Sequence, residues 1–175
     1  MMKSTILDGL NRHLTLEFDA AYKYMAMSHW FDLNDLPGFA TWMKTQSDDE
    51  FTHAQKIIHH ILERDQQVVL PPIQQPPTEW SSPVAILEES LRSEQRVSES
   101  INNLYELAGN ENDRAAQIML QWFVNEQVEE ENVARAILGR LRLAGDSGVG
   151  LLMVDQEMAS GRVPGAMSVP PAQGE

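Results

Sequence analysis

The chain has 175 residues, 42% of them hydrophobic, and carries 26 acids against 13 Lys and Arg for a formal charge of −13. That is enough apolar content for one domain with a continuous core. The lack of any cysteine excludes disulfides, cysteine-held zinc and iron–sulfur clusters. So acidic a surface repels phosphate backbones and attracts cations, so nucleic acid is not expected as a partner. The opening stretch "MMKSTILDGLNRH" lacks the apolar core of a secretion signal, and no apolar run approaches membrane-spanning length. With the absence of cysteine, this gives a cytoplasmic expectation and no membrane partner.

The first helical pattern covers residues 5–33, with Leu7, Leu10, Leu14, Ala21 and Tyr24 on one stripe. "NDLPGF" follows, where Asn34 or Asp35 is placed to cap and Pro37 suits the first turn of a new helix. The second pattern runs to Arg64 with Phe39, Met43 and Ile57 on its stripe. "DQQVVLPPIQQPPTEWSS" has four prolines and no helical period, and reads as an extended crossover. A third helix opens at Ser82-Pro83 and carries Leu87, Leu91, Ile101 and Tyr105; "AGNEND" reads as its turn into the fourth, which covers residues 113–143. After "AGDSG", the segment "VGLLMVDQEM" predicts a short fifth helix that ends at Met158, and residues 159–175, rich in Gly and Pro, are expected to form a loose tail. Two hairpins of long helices joined by one crossover predict an all-α, four-helix bundle within a single domain over residues 1–158.

Extended by threes and fours, each stripe is interrupted near mid-helix by a carboxylate. The first meets Glu17, the second Gln46, Glu50 and His53, the third Glu94 and Ser98, the fourth Gln127 and Glu130. Mid-helix is the same level whichever way a helix points, so the four interruptions meet at one height in the core. Four unpaired buried carboxylates would cost several kcal/mol per ion, and no Lys or Arg lies on these stripes to neutralise them. Bound cations do neutralise them. Oxygen ligands with one imidazole suit iron or manganese, and zinc also binds such a set. Two metals about 3.5–4 Å apart, sharing a carboxylate, are the economical arrangement. The competing reading is that the stripes are out of phase and the glutamates solvated.

With Glu17, Glu50-x-x-His53, Glu94 and Gln127-x-x-Glu130 in place, the chain resembles a bacterial non-haem ferritin from Thr5 to about Met158. The resemblance implies the ferritin-like fold and a ferroxidase centre inside each subunit. Glu17, Glu50 and His53 would hold the first iron with Glu50 as bridge; Glu94 and Glu130 would hold the second with Gln127 beside it. Tyr24 matches a tyrosine that lies against the site and can supply an electron, with a plain hydrogen-bonding role as the alternative; Trp122 is a weaker electron source. A third iron would draw on Asp49, Glu126 and Glu129 with Glu130 shared, but the family usually has glutamate where Asp49 stands, which shortens the reach by one methylene. A solvated acidic face accounts equally well for Glu126 and Glu129. Haem is not expected, because Phe51 stands where bacterioferritins place a haem-ligating methionine.

The resemblance further implies a homo-oligomeric shell of 24 subunits that oxidises Fe(II) with O2 or H2O2 and collects ferric mineral. The alternative is a diiron carboxylate oxidase or peroxidase that stores nothing. A passive shell subunit would usually lack part of the ligand set. His13 and His29 fall off the ligand stripe, and His59-His60 read as surface or helix-end residues. Asp65 is either a helix-end acid or a transit site, and Glu111 and Asp113 are the acids available to an entry channel.

Overall fold

A computed structural model describes residues 2–166. Five helices follow in order: α1 (Ser4–Leu33), α2 (Pro37–Glu63), α3 (Pro83–Asn110), α4 (Arg114–Ala144) and α5 (Gly148–Ala159). No strand occurs among the described residues. The four long helices have 30, 27, 28 and 31 residues, about 40–46 Å each at 1.5 Å per residue. α1 pairs with α2 and α3 with α4 as hairpins, and α5 packs across the α2–α4 end. The crossover, residues 64–82, lies along α1: Asn11 Oδ1 accepts from the Val69 N–H at 2.9 Å and Asp19 Oδ1 from the Gln74 N–H at 3.3 Å.

Helix starts are set by short-range chemistry at three places. Ser82, Asp113 and Ser147 each accept a backbone N–H three residues on, at 3.1 Å. α2 is different and corrects the expectation for Asn34 and Asp35. Asp35 adopts a left-handed conformation (φ +59°) that closes α1, and Asn34 donates back to the Trp30 carbonyl. The cap of α2 comes from α5 instead, where buried Asp155 accepts the Phe39 N–H at 2.9 Å. Gly38 permits this approach, since a Cβ there would lie 2.0 Å from the Asp155 carbonyl oxygen.

The α3–α4 turn is shorter than "AGNEND", because α3 continues through Asn110. The first residues of the expected loose tail, 160–166, return along α4, where Asn132 Nδ2 donates to the Gly165 carbonyl at 2.9 Å. Residues 167–175 lie outside the described residues.

The apolar core is split into two clusters. One holds Tyr24, Met27, Phe31, Phe39, Met43, Ile86, Leu87, Ile137 and Leu141. The other holds Ile6, Leu10, Leu14, Ala54, Ile57, Val97, Ile101, Leu120 and Phe123. On every long helix the chain passes from one cluster to the other through the same polar level.

Candidate metal centre

That level is built from Glu17 on α1, Glu50 and His53 on α2, Glu94 on α3, and Gln127 and Glu130 on α4. Glu17, Glu50, His53, Glu94 and Gln127 are buried and Glu130 is half-buried. Of the stripe neighbours, Ser98 is only half-buried and bonds outward to Glu131, with Val97 taking the core position, and Ile6 lies deeper than Leu7. Steps of three and four accumulate small phase errors against a 3.6-residue turn, and these are their local effects.

Glu17, Glu50 and His53 form a cluster in which one donor atom from each lies within 4.8 Å of the others. His53 Nδ1 is 3.2 Å from Glu50 Oε2 and 3.8 Å from Glu17 Oε2. Among the described residues, Glu17 Oε2 is the buried side-chain oxygen with no hydrogen-bond partner. On the α3–α4 side Glu94 is held at both oxygens: the Tyr24 hydroxyl donates to Oε1, and Gln127 Nε2 donates to Oε2 at 3.0 Å and also approaches the Glu94 carbonyl at 3.3 Å. Trp122 and Phe123 set their rings edge-on to His53 at 5.4 and 5.7 Å, and Lys56 lies over the Trp122 ring at 4.1 Å.

Burial followed by mutual repulsion governs the electrostatics. Burial raises the Glu94 and Glu130 carboxyls to about 8 and about 9, and neighbouring carboxylates push them the same way. Burial also raises Glu17 to about 7 and Glu50 to about 8; the adjoining Glu50 carboxyl offsets part of this at Glu17, and the contact with His53 offsets part of it at Glu50. Burial works against the His53 cation, yet its hydrogen bond to Glu50 and the surrounding carboxylates lift it to about 9. Burial and the Glu94 carboxylate raise the Tyr24 hydroxyl well above its usual range, so it remains a donor. A core layer that sets His53 alone against four carboxyls, holds protons for that reason, and leaves one carboxylate oxygen unpartnered, fits a divalent or trivalent cation that would displace those protons.

Beside the cluster a surface cleft of about 440 Å³ opens between α2 and α4, lined by Asp49, His53, Glu126, Glu129, Glu130 and Trp122, with Val163 and Ala166 at its edge. The three sequence-predicted auxiliary acids thus share one cleft with Glu130. Asp49 is half-buried and its carboxyl is raised, first by burial.

Other candidates are separate from the centre. Asp65 is exposed in a left-handed conformation (φ +56°) just past α2, in a helix-end position. Asp113 is tied to Arg64 at 2.8 Å as well as capping α4, and Glu111 pairs with Lys3. His59 is exposed and paired with Glu63, and Phe51 is exposed and edge-on to Phe18.

One residue placed off the ligand stripe is in fact part of this layer. His13 is buried, with Nε2 2.6 Å from Glu17 Oε1 and Nδ1 2.8 Å from Ser100 Oγ. Burial lowers its pKa to about 4, so the ring is neutral. The signal was present: from Leu10 a step of three reaches His13 and a step of four reaches Leu14, and both face inward.

The bundle and its polar layer define a helical protein with an internal carboxylate–histidine cluster suited to metal. The family follows from comparison, since residues 7–144 match the ferritin-like domain, and the chain belongs to the ferritin family. It is similar to the bacterial non-heme ferritin of Staphylococcus saprophyticus, with 36% identity over 160 residues, 91% of this chain and 96% of that one. The same-named protein of Bacteroides fragilis is 34% identical over 149 residues, 85% of this chain and 94% of its own. Among solved structures, the open pore ferritin of the archaeon Archaeoglobus fulgidus superimposes with a TM-score of 0.89 at 38% identity, covering 91% of this chain and 98% of that one.

Proposed function

We propose that this chain is an iron-storage ferritin whose subunits oxidise Fe(II) and pass Fe(III) into a hollow homo-oligomeric shell. The observation that carries the reading is the unpartnered Glu17 Oε2 facing Glu50 and His53 inside a layer of carboxylates where, among the described residues, His53 is the cationic side chain in contact with them. In this reading Glu17, Glu50 and His53 take one Fe(II), and Glu94 and Glu130 take a second, with Glu50 shared and Gln127 steadying Glu94. Both Glu94 oxygens already accept a hydrogen bond, but each carboxylate oxygen keeps a further lone pair for a cation.

Anionic oxygen ligands favour Fe(III) over Fe(II), which eases electron loss. Each of two Fe(II) gives one electron to O2, which takes up two protons and leaves as H2O2; with H2O2 as oxidant the two electrons and two protons yield two waters. Protons displaced from Glu17, Glu50, Glu94 and Glu130 on metal entry are a local source for this step. Tyr24 holds Glu94 in place and stands near enough to donate a further electron. Asp49, Glu126 and Glu129 give the product an acidic way out toward the cleft, or a third iron position.

Assembly is supported by α5, where Val149, Leu152 and Met153 recur at helical spacing and are 70%, 53% and 61% exposed. Such a face suits burial against other copies in a shell of 24 subunits. The second reading, a diiron oxidase or peroxidase without storage, draws on the open cleft beside His53 and Glu130. Its lining of Asp49, Glu126, Glu129 and Glu130 suits cations better than an organic substrate.

The test is rapid mixing of metal-free protein with stoichiometric Fe(II) and O2. The wild type is expected to oxidise iron in a fast phase that Glu50→Ala abolishes, and equal rates in the two proteins would overturn the assignment.

A further inference from the structure

Among the described residues two histidines are buried, His53 and His13. The ring of His13 is engaged at both nitrogens, by Ser100 of α3 on one side and by Glu17 of its own helix on the other, and the Phe123 ring stands edge-on to it at 6.4 Å. Its contact with Glu17 is one-sided. Oε1 lies 2.6 Å from His13 Nε2, while Oε2 is buried, without a partner, and 3.8 Å from His53 Nδ1. A carboxylate bound to a cation can only accept hydrogen bonds. Opposite such a Glu17, the His13 hydrogen must sit on Nε2, and Nδ1 must accept from the Ser100 hydroxyl. Glu17 therefore fixes the tautomer, and Ser100, whose hydroxyl can donate or accept, holds the ring so that Nε2 faces Oε1.

We propose that His13, oriented by Ser100, is a positioning residue that occupies Glu17 Oε1 and so reserves Oε2 for a divalent cation held with Glu50 and His53. This rests on the reading of Glu17, Glu50 and His53 as a metal site, and adds to it the outer partner of its α1 ligand. Outer partners of this kind fix the ligand's orientation, and removing one typically costs roughly 10–100-fold in metal affinity. In this role the buried polar ring of His13 and its Ser100 partner both have a use, where a leucine would fill the same space alone.

The test uses the assembled, metal-free protein titrated with Co(II) without oxygen, following the visible absorption band and the binding isotherm. His13→Gln places an amide hydrogen where imidazole Nε2 stands; His13→Asn is one methylene shorter, reaches Ser100, and falls short of Glu17. The Gln variant is expected to bind Co(II) within a few-fold of wild type, and the Asn variant roughly 10–100-fold more weakly with an altered band. Circular dichroism and melting curves of the two variants establish equal folding. Wild-type binding and spectrum in the Asn variant would overturn the inference, as would equal weakening in both, which would assign the effect to ring volume. Should the Asn variant fail to assemble, Ser100→Ala carries the test: weaker Co(II) binding with a changed band is expected, and an unchanged isotherm and spectrum would overturn it. A wild type that binds no Co(II) would overturn the metal-site reading itself, a result distinct from unaffected variants.

Discussion

Glu17, Glu50, Glu94 and Glu130 hold protons that the unfolded chain would have released, and this sets a sign for stability. Carboxyls raised from 4.5 to about 7, 8, 8 and 9 bind more protons folded than unfolded, so their contribution falls as pH rises from 4.5 toward 9. His53, raised to about 9, stabilises fully below 6.5 and loses that contribution as pH passes 9. His13, lowered to about 4, acts oppositely, but only between 4 and 6.5. Above pH 6.5 the site therefore works in one direction. Metal-free protein is expected to melt at a lower temperature at pH 8.5 than at pH 6.5, and the increase in melting temperature on adding stoichiometric Co(II) is expected to be larger at the higher pH; scanning calorimetry at the two values checks both. Tyr24→Phe removes the donor to Glu94 Oε1 in a buried setting and is expected to cost about 1–3 kcal/mol, measurable by chemical denaturation, while fast iron oxidation survives at a reduced rate.

The helices themselves were legible because apolar residues recur at the helical period over nearly 30 positions, and the centre was legible because carboxylates break that recurrence at matching heights. What escaped depends on partners distant in sequence. The α2 cap is Asp155, 116 residues from the Phe39 N–H it accepts, so a local scan stops at Asn34 and Asp35. His13 escaped because Leu14 offers an equally good inward step from Leu10, and Ser100, which explains the imidazole, lies on another hairpin. Two predictions belong to the α2–α5 junction. Asp155→Ala leaves the buried Phe39 N–H unpaired and is expected to cost about 1–2 kcal/mol, read by denaturant midpoint. Gly38→Ala sets a methyl 2.0 Å from the Asp155 carbonyl and 2.9 Å from the Ala159 N. Because both neighbours are backbone, α5 must move, and the expected loss is at or above the usual 1–3 kcal/mol, roughly, for overpacking.

For the whole molecule, the net charge of −13 and the cleft lined by Asp49, Glu126, Glu129 and Glu130 draw cations to the same place where two apolar clusters enclose a carboxylate layer. The apolar clusters hold the fold together, whereas the layer between them sets four carboxyls against one imidazole, an arrangement that a cation would relieve. Attraction by unpaired surface charge is screened by salt over about 8–10 Å at physiological strength. The initial rate of Fe(II) oxidation is therefore expected to fall as inert salt is raised, checked by stopped-flow absorbance at fixed pH. Storage is tested by iron per subunit in the assembled particle after aerobic addition of excess Fe(II) and size-exclusion separation. Iron far beyond the stoichiometry of the centre, co-eluting with a large hollow particle, is the predicted result. Iron that stops at the centre's own stoichiometry would contradict storage and leave a diiron oxidase.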